Sequence, residues 1–194
     1  MEVINGISER RKTISRAARK LFNEKGFAGT SMRDLAQEVG IRAASLYNHV
    51  AAKEELLHEI CFEMADAFFE GFQQATEGDK PVSKKLQQAI QAHINVINNH
   101  PDASKVFFEE WIFLKEEDLV RFKKMRSQYE RGFRQLLEKG METGEFRKTN
   151  VRLGTFMILS ALNAIYDLER MKERLSAGEV AEEIGMLLMK GLKK

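Results

Sequence analysis

Residues 41–56 read IRAASLYNHVAAKEEL. Tyr47, Asn48 and His49 stand in a row, Arg42 and Ser45 come just before them, and the large apolar anchors are Leu46 and Val50. An amide such as Asn48 can pair with the N6/N7 edge of adenine, and a guanidinium such as Arg42 can fork onto O6 and N7 of guanine. Ala43, Ala44 and Ser45 are small enough to let a backbone approach the base edges of a major groove about 12 Å wide. Lys53 opens the next helical run, where a positive side chain and free backbone amides together make an anion seat. The chemistry these residues offer is recognition rather than bond-making. No P-loop, dinucleotide-binding glycine turn, HExxH or nucleophile elbow is present, so an enzyme is not expected.

Charge points the same way. Residues 8–53 hold ten lysines and arginines against four acids, a surplus of +6 in a chain whose total is only +2. A basic head followed by an acidic body fits a polyanionic partner at the N-terminal end. The single cysteine, Cys61, excludes an intrachain disulfide and a metal-binding cysteine cluster, and reads as a small buried residue. His93 and His100 are seven residues apart, but Pro101 follows at once, and two ordinary histidines are the simpler reading; no metal or cofactor is expected. The N-terminus, MEVINGISERRK, lacks a signal-peptide apolar run. The apolar stretch 156–166 is too short to cross a bilayer and contains Asn163. No membrane partner and a cytoplasmic location are therefore expected.

The elements that must position the polar run are helices. With 194 residues, 43% of them hydrophobic, and only two prolines, the chain shows apolar residues at helical spacing and no strand-type alternation. The fold class is all-α, with about nine helices. The first helix spans 8–25, with Ile14, Ala17, Ala18, Leu21 and Phe22 on its apolar face, and Gly26 ends it. Ser31 and Asp34 form a capping box for a short helix ending at Val39, with Thr30 as the competing cap. Gly40 closes that helix and the next begins near Ala43, which is the organisation of a helix-turn-helix. Further helices are expected from Lys53 to about Ala75 and at 83–99, 102–114, 117–141, 150–171 and 177–192. The segment 151–168 is apolar nearly all round, and Val180, Ile184, Leu187, Leu188 and Gly191 share a stripe on the last helix. These two helices could close a four-helix interface with a second copy.

The run from Ile14 to Ile60 resembles the DNA-binding domain of the TetR (tetracycline-repressor-like) family of bacterial transcription regulators. The matching pieces are A-x-x-L-F-x-x-x-G-F at Ala18–Phe27, T-S-x-x-x-L-A at Thr30–Ala36, L-Y-x-H at Leu46–His49 and K-E-E-L at Lys53–Leu56. Three positions depart from the family pattern: Arg42 replaces a serine or threonine, Ala44 a glycine, and Val50 an aromatic. Loss of a capping hydroxyl at Arg42 costs about 1 kcal/mol.

The resemblance implies a three-helix DNA-binding domain with a helix-turn-helix at residues 1–52 and a larger helical domain at 53–194 for ligand binding and dimerisation. Tyr47, His49 and Lys53 are then phosphate contacts, Thr30, Ser31 and Arg33 face the opposite phosphate strand, and Arg42, Ala43, Ser45 and Asn48 face the bases. The expected effector site comprises Phe107, Phe108, Trp111, Phe122, Met125, Tyr129, Phe133, Met157, Ser160, Asn163 and Asp167. The EKGMETGEFR and LSALNAIYDL patterns resemble family members that sense fatty-acid, acyl-CoA or sterol-like molecules, and this resemblance implies an effector of that kind. The implied function is a ligand-responsive repressor that binds a palindromic operator in double-stranded DNA as a homodimer through residues 151–192. The alternative is a helical small-molecule-binding or scaffolding protein without specific operator recognition.

Overall fold

The computed structural model describes the backbone of residues 2–171 and 177–192, and within these the side chains of 9–167, 178, 179 and 182–192. Among the described residues every regular element is helical. The α-helices are α1 (Glu2–Lys25), α2 (Met32–Val39), α3 (Ala43–Leu46), α4 (Lys53–Thr76), α5 (Val82–Asn99), α6 (Pro101–Glu109), α7 (Glu116–Glu142), α8 (Val151–Asn163) and α9 (Ala177–Leu192). Two 3-10 segments, Glu110–Phe113 and Ala164–Met171, continue α6 and α8. The expected helix at 102–114 and that at 150–171 thus each tighten into a 3-10 end.

The chain divides into two compact units, one of residues 1–64 with 102–122 and one of 65–101 with 123–194. The expected functional division after residue 52 falls at the head of α4, whereas the compact units divide after Met64. The reason lies in bonding: Arg11 on α1 pairs with Glu55 and Glu59, and Arg19 pairs with Glu63. These contacts, with Leu56, Leu57, Ile60 and Cys61 fully buried, join the first turns of α4 to the preceding helices.

In the first unit Ile14, Ala18, Leu21 and Phe22 of α1 are buried, as their spacing requires. Gly26 follows with φ +74, a left-handed conformation that L side chains adopt only under strain. Residues 102–113 belong to this unit and hold the end of α1. Lys105 Nζ donates to the carbonyl of Asn23 at 2.8 Å, the Asn23 amide donates to Asp102 at 3.1 Å, and Phe113 stacks on Phe27 at 5.5 Å.

In the second unit, α5 packs against α8 and α9, which also touch each other. Buried His93 meets Tyr129 at 3.1 Å within a ring of Phe68, Phe69, Phe72 and Phe133. Burial pushes the His93 imidazole down to about 3, so it is neutral at any physiological pH, and pushes the Tyr129 phenol up. On α8, Thr155, Ile158 and Leu162 are buried while Leu153, Phe156 and Met157 are exposed, Phe156 by 68%. Among the described residues this helix is covered on a single side, short of the expectation that it is buried on more than one.

Pro81, ahead of α5, supplies no side-chain cap. Glu145 does so from the α7–α8 connection, accepting from the backbone N–H groups of Val82 at 3.0 Å and Ser83 at 2.9 Å. These donors, Ser83 foremost, hold its carboxylate down to about 2 from the ordinary 4.5. Because the folded value is depressed, its stabilisation is full above 4.5 and is lost as pH falls towards 2. Glu145→Ala is expected to destabilise the protein by about 1 kcal/mol at neutral pH, the usual worth of a cap. Urea unfolding of both proteins should show that gap closing in acid, and a gap independent of pH would refute the assignment.

Candidate nucleic-acid interface

The interface begins with the capping box of α2. The Ser31 hydroxyl accepts from the backbone N–H of Asp34 at 3.2 Å, and the Asp34 carboxylate accepts from the N–H of Ser31 at 2.8 Å. The same two side chains also share a direct hydrogen bond. The Ser31 hydroxyl and N–H, aided by Lys25, hold the Asp34 carboxyl down to about 2. Ser31 is therefore the cap and Thr30 is not.

After α2 the chain turns at Gly40, whose φ is +70, and the N–H of Ile41 returns to the carbonyl of Ala36 at 2.9 Å. This is a left-handed glycine stop of the Schellman kind. Arg42 then precedes α3 in extended geometry and makes no side-chain cap, as its substitution for a hydroxyl residue implies. Helix α3 lasts one turn, Ala43–Leu46. Hydrogen bonds from His49 and Val50 to the carbonyl of Leu46 carry the coil through residues 47–49.

Leu46 and Val50 are buried, and Arg42, Ala44, Ser45, Tyr47 and Asn48 are exposed, with Ala43 and His49 half-buried. Tyr47 is 54% exposed, so it is no packing aromatic. Arg33 on α2 is also exposed. Beside these residues runs an open groove of about 450 Å³, lined by residues 28–32, Tyr47 and 51–54. It therefore has the first residues of both α2 and α4 on its walls, where backbone N–H groups favour an anion.

Two expected contacts are engaged inside the protein. Thr30 is 1% exposed, and its hydroxyl donates to the carbonyls of Gly26 at 2.8 Å and Leu21 at 3.2 Å. The Lys53 ammonium donates to the carbonyls of Phe27 at 2.7 Å and Thr30 at 2.8 Å, and stands 4.3 Å from the centre of the Phe27 ring. Both side chains hold the α1–α2 connection to the head of α4 instead of reaching outward. The signal was in the sequence only as ambiguity, since a lysine at a helix start suits a phosphate or a carbonyl equally well.

The residues expected to hold an effector fall into separate groups. Phe107, Phe108, Trp111 and Phe122 form one aromatic cluster in the first unit. Tyr129 and Phe133 belong to the second unit's ring around His93, a partner that sequence reasoning had set aside as an ordinary histidine. Met125 and Asn163 are half-buried, and Met157, Ser160 and Asp167 are exposed. Among the described residues no cluster of histidine, cysteine or acidic side chains is disposed to hold a metal ion.

Comparison with known proteins places this geometry. Residues 14–60 match the family described as bacterial regulatory proteins, tetR family, and residues 79–192 match the tetracyclin repressor-like C-terminal domain. The chain belongs to the TetR family of bacterial transcription regulators. It is similar to the HTH-type transcriptional repressor KstR2 of Mycobacterium tuberculosis, at 27% identity over 75% of this chain and 73% of that one. The solved structure described as the ketosteroid transcriptional regulator KstR2 superposes with a TM-score of 0.89 over 95% of both chains, at 24% identity. PfmR of Thermus thermophilus, a TetR family regulator, is 31% identical over 93% of this chain and 99% of its own, with a TM-score of 0.82. AibR, solved with isovaleryl coenzyme A and operator DNA, shares the fold at a TM-score of 0.82 and 22% identity, covering 93% of this chain and 98% of that one.

For this TetR family chain the position of Lys53 generates a prediction. Lys53→Met is expected to lower the unfolding free energy in urea while leaving the salt dependence of DNA binding unchanged. A phosphate contact would instead flatten the plot of log affinity against log salt by about one unit.

Proposed function

We propose that this regulator is a ligand-responsive repressor that binds an inverted-repeat operator as a dimer and is released by a small apolar or amphipathic effector. The observation that carries the reading is the division of residues 42–50, with Leu46 and Val50 buried beneath exposed Arg42, Ser45, Tyr47 and Asn48. A protein without operator recognition has no need to leave such a row of polar side chains uncovered on a one-turn helix. Residues 1–52 form the DNA-binding domain and residues 53–194 the effector and dimer domain. A cytoplasmic location follows from a DNA partner, and no described helix is long and apolar enough to cross a membrane.

In this reading Asn48 and Arg42 read bases, while Ala43 and Ser45 allow close approach to them. Tyr47, His49, Ser31 and Arg33 take phosphates, along with backbone amides at the starts of α2 and α4. Thr30 and Lys53 keep those helix starts in place. Sequence choice rests on the first group and affinity on the second.

Dimerisation is supported by the uncovered apolar side chains of α8 and α9. Leu153, Phe156 and Met157 recur at helical spacing, and on α9 Leu187 is 58% exposed beside Met186. Ile184 and Leu188 are half-buried and Gly191 is exposed, while the Val180 side chain and residues 172–176 lie outside the described residues. A second copy that covers this face also brings a second recognition helix, as an inverted repeat demands.

An apolar effector is supported by the aromatic composition of both groups, Phe107, Phe108, Trp111 and Phe122 in one and Met125, Tyr129 and Phe133 in the other. It is supported further by two relatives, AibR, solved with isovaleryl coenzyme A, and KstR2, described as a ketosteroid transcriptional regulator. Release is a population shift: an effector that prefers a conformation unable to hold both recognition helices on the DNA weakens binding. A coupling of about 1–3 kcal/mol is enough for a 5–150-fold change.

Selection from a random duplex library should enrich an inverted repeat, and no enrichment would overturn the reading. On the enriched site, Asn48→Ala is expected to lose about 1–3 kcal/mol of discrimination at one base pair of each half-site. Arg33→Ala should weaken all sequences alike and reduce the salt slope by about one. Phe156→Lys, measured by light scattering, should shift the dimer to monomer and weaken operator binding; an unaltered dimer would exclude this face as the interface.

A further inference from the structure

Helix α3 is one turn long, too short to maintain its own direction, because an isolated turn of helix is unstable without outside contacts. Its apolar anchors are the buried Leu46 and Val50. The backbone bond from Ile41 to Ala36 fixes its beginning. Beyond its end, besides the backbone bonds to Leu46 and the buried Val50, the side-chain contact comes from Arg11 of α1.

One terminal nitrogen of Arg11, Nη1, donates to the backbone carbonyl of His49. The other, Nη2, donates to Glu59 and lies 3.5 Å from Glu55, both on α4. This is the one side-chain hydrogen bond described for residues 43–50. The Arg11 side chain is 32% exposed, so the contacts are partly shielded from solvent. Its planar fork serves a carbonyl on one side and carboxylates on the other in a fixed geometry, which a lysine's point charge cannot reproduce.

We infer that Arg11 is a positioning residue for DNA reading: it sets the direction of the recognition turn by locking the His49 carbonyl to Glu59 and Glu55 of α4. It does so without touching DNA. The guanidinium is taken up by the His49 carbonyl and the two carboxylates rather than left for a phosphate. Arg11 therefore differs from Arg33, which is exposed and has no described ion pair. The consequence is borne by specificity, because hydrogen bonding to base edges tolerates misdirection far less than phosphate attraction does.

The inference rests on the operator-binding reading, and the two can fail separately. The test uses the full-length protein, the inverted repeat it selects and a random duplex of equal length. Arg11→Gln, Glu59→Gln and the double variant are measured for binding over a salt series, each below its own thermal unfolding midpoint. Arg11→Gln should lose about tenfold on the selected repeat, comparable to one mismatched base pair. Its affinity for random duplex should change less than twofold, and its salt slope should match the wild type. Glu59→Gln should show the same lost specificity, and the double variant should lose no more than the worse single one, since both break one lock. If Arg11→Gln does not fold, Glu59→Gln carries the same comparison. A salt slope lower by about one would make Arg11 a phosphate contact and overturn the inference. So would equal losses on both duplexes, or an unchanged specificity ratio in a merely less stable protein. Absence of any enriched repeat for the wild type would overturn the operator reading itself.

Discussion

A polar side chain can read a base edge only if it stays bare in the free protein, yet a bare helix of one turn has no stability of its own. This conflict governs the N-terminal unit. Leu46 and Val50 give α3 an apolar footing, the Gly40 turn fixes how it leaves α2, and Arg11 holds the His49 carbonyl just beyond it. Each of these acts on the side of the helix turned away from solvent. The outer side is thereby left to Arg42, Ser45, Tyr47 and Asn48 without a partner that must be displaced on binding.

The same economy explains the inward-turned lysine and threonine. Lys53 begins α4, and its ammonium lies on two carbonyls of the α1–α2 connection, one of them belonging to Thr30. The Thr30 hydroxyl answers two further carbonyls at the end of α1. Carbonyls at a helix C-terminus lack intrahelical donors, and a buried one without a donor would cost about as much as a broken hydrogen bond. These two residues thus bond carbonyls at and just beyond the end of α1 and, in doing so, tie the α1–α2 connection to the start of α4.

The second unit follows a different logic. Its interior is aromatic, with a neutral histidine and a tyrosine joined at the centre. Its outer apolar residues on α8 and α9 are exposed among the described residues. A helix that is apolar nearly all round cannot be satisfied by one neighbour. In the single chain Thr155, Ile158 and Leu162 face inward, and the remainder of the apolar surface calls for a partner.

Local chemistry was legible in the residues: glycine stops at Gly26 and Gly40, the Ser31–Asp34 capping box, the missing cap at Arg42, and the buried pair Leu46 and Val50. All of these depend on neighbours within four or five positions, so order along the chain suffices to specify them. Helix positions were legible for the same reason, apart from the 3-10 ends of α6 and α8 and the earlier start of α1. What only the tertiary structure decided was where long, charged or hydroxylated side chains would find partners. Lys53 reaches back 23 residues to Thr30, Arg11 reaches forward 38 to His49, and Glu145 caps a helix 62 residues before it. Types and spacing cannot separate a cation that greets a phosphate from one that closes a carbonyl, because both acceptors offer the same negative oxygen. Only the packing of distant helices determines which of the two lies within reach.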